Sequence, residues 1–128
     1  MLSPVAHAIE QIRLAFAPSA VTVDDDGSGG AYVIVEVVDL GPKFVPQHSW
    51  LGGHLTAQTP YSDVYPIYGG GELLRADGRP FQPPLSLGHQ FRGRPALQIS
   101  RRSNRLDPQL QTPALKFSKV LHYLRNDA

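Results

Sequence analysis

The placement of proline and glycine most limits how this chain can fold. There are twelve of each in 128 residues, and they crowd between Gly41 and Pro95. Proline brings no N–H to a ladder and glycine gives up the most backbone entropy. The middle of the chain is therefore predicted to hold loops joined by short strands. Long regular elements are left to the two ends. Ser3-Pro4 reads as an N-cap followed by proline in the first turn. Val5, Ile9, Ile12, Leu14 and Phe16 roughly share a face, which predicts a helix to about Ala15, stopped by Pro18. Thr112-Pro113 repeats the start signal. Beyond it Ala114, Phe117, Val120, Leu121 and Leu124 form one stripe, with Lys116, Lys119, His122 and Arg125 largely off it. That pattern predicts a helix to about Arg125. Lys119 and Arg125 suit its carbonyl end.

Between the helices, Val21-Thr22-Val23 and the β-branched run Ala31–Val38 read as a hairpin. The turn Asp24–Gly30 is acidic and glycine-rich. Its three aspartates invite comparison with a calcium loop, but the ligand spacing is missing after Gly27, so it reads as a solvated tip. Leu40–Gln47 holds two prolines and reads as a loop. His48–Gln58 reads as a strand carrying Trp50, Leu51, Leu55 and Ala57. Trp50, the only tryptophan, reads as core or sheet-edge packing, with partner binding as the alternative. Pro60–Tyr68 is an aromatic-proline turn. Gly69-Gly70-Gly71 lacks the Lys-Ser/Thr or helix start of a phosphate loop. Glu72–Arg75 reads as a short strand and Ala76–Pro80 as a turn. Phe81–Gly93 shows no periodicity. Pro-capped helices around antiparallel strands predict an α+β fold, one domain over residues 1–128.

Composition excludes several function classes. A net charge of +1 implies no nucleic-acid or membrane partner. No apolar run is long enough to span a bilayer. Met1-Leu2-Ser3-Pro4 lacks the basic start and apolar core of a signal peptide, so a cytoplasmic location is expected. With no cysteine, disulfides, thiolate metal sites and thiol catalysis are excluded for the chain as it stands. No cofactor and no metal site are expected.

Three stretches carry a further signal: Tyr61-Ser62-Asp63-Val64-Tyr65-Pro66, then Gly93-Arg94-Pro95-Ala96-Leu97-Gln98-Ile99-Ser100-Arg101-Arg102, then Leu106-Asp107-Pro108 ahead of the C-terminal helix. This order resembles the ubiquitin-conjugating enzymes. There a Tyr-Pro turn ends the sheet, a glycine stands three residues before the catalytic cysteine, and that cysteine opens a Cys-Leu-x-Ile segment. A Ser-Pro or similar pair then leads into a helix. Here Ala96-Leu97-Gln98-Ile99 stands where Cys-Leu-x-Ile would be, with Ala96 at the nucleophile. The chain departs from the pattern elsewhere. The Pro-Pro pair after the corner is replaced by Gly69-Gly70-Gly71, and Pro83-Pro84 comes later. The His-Pro-Asn motif, whose asparagine is thought to stabilise an oxyanion, is also absent. Gly88-His89-Gln90 occupies the region, which makes His89 the candidate donor, or else a surface-loop histidine. The resemblance covers nearly the whole chain in element order, and specific residues from about Pro60 to Leu124. A full conjugating core has one or two further helices; shorter prokaryotic relatives stop near this point.

The resemblance implies a ubiquitin-conjugating-like fold: N-terminal helix, antiparallel β-meander, irregular active-site segment and C-terminal helix. It implies transthiolation, in which a thiolate accepts a modifier's C-terminus as a thioester and passes it to an amine. Implied partners are a ubiquitin-activating-like enzyme and a ubiquitin-like modifier or target protein, in a bacterial pathway of a kind often linked to anti-phage defence. Arg101, Arg102 and Arg105 fall where the modifier's tail would run, and planar guanidinium groups suit its oxygens; a solvated loop is the alternative. Ser100-Arg101-Arg102 also resembles a Ser-Arg-His/Arg element of a prokaryotic branch. Alanine has no nucleophile, so this chain is either an inactive form of an enzyme, with Ala96 natural or introduced, or a non-catalytic binding relative. An unrelated α+β interaction domain is the third possibility. If position 96 marks a replaced nucleophile, it is expected on a partly exposed loop, where Arg94, Arg101 and Arg102 would favour a thiolate.

Overall fold

The computed structural model describes residues 1–103 and 111–128. In chain order the elements are α1 (Ser3–Phe16), β1 (Val21–Asp25), β2 (Ala31–Asp39), β3 (Phe44–Val45), β4 (His48–Leu55), β5 (Ile67–Gly70), β6 (Leu74–Arg75), β7 (Leu85–Phe91), β8 (Arg94–Ile99) and α2 (Pro113–Asn126). The fold is α+β, with an N-terminal helix, an antiparallel sheet and a C-terminal helix. One sheet has six strands in the order β1-β2-β4-β5-β8-β7; β3 and β6 make a separate pair. The expected pairing of the Val21, Ala31 and Trp50 segments is present as β1-β2-β4, all antiparallel.

Alternation along the strands gives this sheet two different faces. Val33 lies opposite Gly53, Val35 opposite Leu51 and Ala31 opposite Leu55. With Ile67, Leu97 and Ile99 they form the face that packs on Val5, Ile9 and Ile12 of α1 and on Phe117, Val120 and Leu124 of α2. A bulge between Val35 and Val38 shifts the register. It turns Val38 inward and leaves Val37 exposed. Gly53 makes room for α2: a Cβ there would lie 2.6 Å from Val64 Cγ1 and 3.5 Å from the Phe117 ring. Every apolar residue expected on the α2 stripe is buried. Thr112 Oγ1 caps the helix by accepting from the Leu115 N–H at 3.2 Å.

Several elements differ from expectation. In α1 the cap position is Leu2, which offers no side-chain acceptor, and Ser3 is already helical. Leu14 is 80% exposed, because two residues past Ile12 is roughly 200° around the helix. In α2, Lys116 is buried, not solvated. Leu40–Gln47 contains β3, which pairs with β6 and buries Phe44. Gly69 and Gly70 lie in β5, and β4 stops at Leu55, short of Gln58.

The largest correction concerns Phe81–Ile99. The expected irregular segment is a hairpin of β7 and β8. Arg92 and Gly93 form its two-residue turn with φ of 51° and 77°, the positive values a hairpin of this twist requires. Periodicity failed to show β7 because of a bulge between Ser86 and His89. Gly88, at φ 87° inside it, breaks the alternation. Among the described residues no helix is long and apolar enough to cross a membrane.

The two helix stripes separate experimentally. Phe117→Ala is expected to cost about 3–5 kcal/mol in urea denaturation, through lost burial and the cavity left behind. Leu14→Ala is expected to change stability by less than about 0.5 kcal/mol. Comparable losses would contradict the assigned face of α1.

Candidate functional site

Ala96 lies inside β8, paired with Gly70 on one side and His89 on the other. It is 1% exposed. Its side chain belongs to the sheet face turned away from the helices, in a small cluster with Ile34 and Phe91. Half-buried Tyr32, Trp50 and Tyr68 close over that cluster. Phe91 stacks on Tyr68 at 4.8 Å and on Trp50 at 6.1 Å between ring centres. Gly52 admits the Phe91 ring, since a Cβ there would lie 2.7 Å from it. Gly71, last of the triple glycine, lets the chain cross β8: its Cβ would lie 2.6 Å from the Pro95 carbonyl carbon. Position 96 is thus not on an exposed loop. It lies in a ladder-bonded strand beneath an aromatic layer. His89 is its cross-strand partner, so the structure does bring these two together. The His89 Nε2 lies 3.0 Å from Ser86 Oγ.

The charges on this face are already paired. Arg94 donates to both carboxylate oxygens of Glu36, at 2.8 and 2.9 Å, and lies over Trp50. Thr22 Oγ1 donates to the same carboxylate. The Arg94 hydrogen bonds hold the Glu36 carboxyl below the usual glutamate range, with Thr22 adding to them against the opposing effect of burial. Arg92 lies over Tyr32 at 4.3 Å and 3.5 Å from Asp24. His54 stacks on Tyr32 and its Nε2 meets Asp26 Oδ2 at 2.7 Å. That contact, with the N–H groups of Ser28 and Gly30, lowers the Asp26 pKa. Arg94 is therefore committed to Glu36 and not to position 96.

Arg101 and Arg102 lie elsewhere, beyond the end of β8 against α2. Lys116 organises them. Its buried Nζ donates to Asp63 Oδ2 at 3.0 Å, to the Arg101 carbonyl at 2.6 Å and to Ser103 Oγ at 3.4 Å. Ser103 completes the joint, donating from its N–H and hydroxyl to the two Asp63 oxygens at 2.8 and 3.1 Å. Burial lowers the Lys116 pKa, and the Asp63 hydrogen bond opposes this. With the backbone held, the Arg101 guanidinium lies over Tyr123 at 4.0 Å and that of Arg102 over Tyr65 at 3.9 Å. Tyr65 is the tyrosine of the Tyr-Pro corner. Arg105 and the Leu106-Asp107-Pro108 element lie outside the described residues.

Sequence reasoning missed Asp63 and Lys116. The signal was the position of Lys116, four residues before Val120 and so on its stripe. A lysine there requires a buried acceptor. A groove of about 930 Å³ between the end of α1, β2 and α2, lined in part by Phe16, Val37 and Leu121, holds none of the residues singled out by the motifs.

Removing one partner of a buried pair strands the other charge. Asp63→Ala is expected to cost about 3 kcal/mol in urea denaturation, and Lys116→Met in that background to recover a large share. A loss below about 1 kcal/mol would mean the pair is solvated. The Glu36 pair makes a pH prediction. A carboxyl with a depressed folded pKa stabilises above its ordinary value and loses that contribution as pH falls through the folded one. Glu36→Gln is therefore expected to flatten the decline of the melting temperature below a pH of about 4.5. Parallel acid limbs for the two chains would refute it. No protein family matches the chain, and neither a curated protein nor a solved structure was found to be similar to it.

Proposed function

We propose that the chain is a non-catalytic binding module of ubiquitin-conjugating-like fold. Its partner is a ubiquitin-like protein or the activating enzyme that serves it. The resemblance at Tyr65-Pro66, at Ala96–Ile99 and in the closing helix supports this reading of the fold. The observation that supports binding rather than transfer is the burial of Ala96 beneath Phe91, inside a strand paired on both edges. Transthiolation needs a nucleophile that an incoming thioester carbonyl can reach. Aromatic side chains fill that approach.

Arg101 and Arg102 are the contact residues of this proposal, joined by Arg105 from outside the described residues. Two features support them. The Lys116–Asp63 joint fixes their backbone in advance, which lowers the ordering cost of binding. Stacking on Tyr123 and Tyr65 occupies the guanidinium faces and leaves the in-plane N–H groups for a partner's oxygens. A transferase, active with cysteine at position 96 in a bacterial ubiquitin-like conjugation pathway, is the second reading. Its one supporting observation is that His89 pairs with Ala96 across the strands. An oxyanion donor must stand near the nucleophile, and position 89 is the neighbour of position 96 in the ladder.

Ala96→Cys separates the two. Incubated with the cognate activating enzyme, modifier and ATP, it is expected to form no adduct that reducing agent cleaves on a gel. A reductant-sensitive band would establish the transferase instead. Replacing Arg101 and Arg102 together by alanine is expected to weaken partner binding in titration calorimetry at least about tenfold, with the melting temperature nearly unchanged. Unaltered affinity would remove these residues from the interface.

A further inference from the structure

The six-stranded sheet ends in β1 on one side and β7 on the other. An open sheet edge offers N–H and C=O groups to any extended chain, and proteins commonly blunt it with charge or cover. The β1 edge is blunted. Arg13 Nη1 donates to the Val21 carbonyl at 3.3 Å, and Asp24 and Asp25 are exposed at the far end of the strand. The β7 edge differs: from Leu85 to Phe91 it carries no lysine, arginine or carboxylate. Its one interruption is the bulge between Ser86 and His89, which confines regular pairing to a short stretch on either side. In the first stretch the Ser100 N–H donates to the Pro84 carbonyl at 2.9 Å, and Ser86 lies opposite Gln98. Antiparallel ladders alternate, so the backbone groups of Leu85 and Leu87 point away from β8. The Leu85 N–H donates to the Gln82 carbonyl at 2.9 Å. The Leu85 carbonyl and both groups of Leu87 have no backbone partner among the described residues.

Beside those groups lies a groove of about 510 Å³, walled in part by Leu74, Phe81, Pro83 and Leu87. Leu74 is 59% exposed and Leu87 43%, while the Phe81 ring is seated against buried Phe44 at 6.1 Å between centres. Arg75 and Arg79 share the wall. Asp77 accepts from the Arg75 guanidinium at 3.0 and 2.9 Å and from the Arg79 backbone N–H at 3.0 Å. Among the described residues one carboxylate thus serves two guanidinium groups, and the rim keeps a positive charge.

We propose that this groove takes an extended segment of a partner protein, apolar with flanking acidic residues, which adds a strand to β7. The segment's backbone pairs with the Leu85 carbonyl and with Leu87. One apolar side chain enters between Leu74, Phe81 and Leu87, and a carboxylate two residues away, on the same face of the strand, meets Arg79. Main-chain bonds give such a complex its affinity, and the side-chain pocket gives its selectivity. A second copy of the chain fits less well, because it brings the same positive charge to the seam. This edge is separate from the arginine segment beside α2 and goes beyond the function proposed above.

The test is a nuclear magnetic resonance titration of the isotope-labelled chain with three probes. The first is acetyl-Glu-Thr-Val-Thr-Glu-amide, which as a strand puts its valine and both glutamates on one face. The second is the same peptide methylated at its three central nitrogens, and the third has lysine in place of each glutamate. The first is expected to shift the amides of Arg79, Ser86 and Leu87, to slow hydrogen exchange at Leu87, and to leave Arg101 and Lys119 in place. Methylation is expected to weaken binding at least about tenfold, through the lost main-chain bonds. The lysine peptide is expected to bind at least about fivefold more weakly at low salt, with the gap closing at high salt. Leu87→Lys, which puts a charge on the edge, is expected to abolish binding with the melting temperature nearly unchanged. Should that variant fail to fold, Arg79→Glu, at an exposed position, decides: it is expected to reverse the order of the glutamate and lysine peptides. Absence of a shift at Leu87, equal binding of the methylated peptide, or equal binding of the lysine peptide would overturn the proposal. A dimer seen by sedimentation without peptide, and lost in Leu87→Lys, would assign the edge to a second copy instead.

Discussion

A β-strand sends alternate side chains to opposite faces, and most of this molecule follows from which residues fall on which side. The face with Val33, Val35, Leu51 and Leu97 is aliphatic and continuous with both helices. The other face collects Tyr32, Ile34, Trp50, Tyr68, Phe91 and Ala96. A one-residue slip of β8 would exchange Ala96 with Leu97. That would place leucine under the aromatic rings and alanine in the core beneath α2. Gly52 and Gly53 adjoin in β4 and serve opposite faces: one admits the Phe91 ring, the other Val64 and Phe117.

Apolar contact alone leaves the orientation of the Arg101–Ser103 segment undetermined. The Lys116–Asp63–Ser103 joint supplies it. Three separate pieces of chain meet there: the Tyr-Pro corner, the exit from β8 and the second turn of α2. A buried ion pair adds little net stability over an apolar replacement of similar shape. Its effect here is directional, since each donor and acceptor has one geometry in which all are satisfied. The arginines that project from the segment inherit that order.

Two surfaces of the chain thus differ in kind. The aromatic face has rings and cations, yet Arg94 is matched by Glu36 and Arg92 lies against Asp24, so its charges are spent within the protein. The cations beside α2 are matched only at Lys116 among the described residues. A thiol placed at position 96 would meet the opposite conditions, low exposure and already committed arginines.

Much of this was legible in the residues. The ends of the chain declared their helices because a capping threonine, a first-turn proline and an apolar stripe are local signals. The β-branched run at Ala31–Val38 likewise declared its strand and its hairpin with Val21–Val23. The α+β class follows from these alone. What needed the tertiary structure was everything that depends on a distant partner. The strand β7 is hidden in sequence by a bulge whose cost is met by pairing with β8. The burial of Ala96 comes from β5 and β7 closing on both edges and from Phe91, none of them within four residues of it. Lys116 is indistinguishable from its solvated neighbours until Asp63, fifty-three residues away, is brought to 3.0 Å. Local conformation is set by short-range sterics and periodicity, which a sequence displays directly. The environment of a side chain is set by long-range pairing, and only the folded chain decides it.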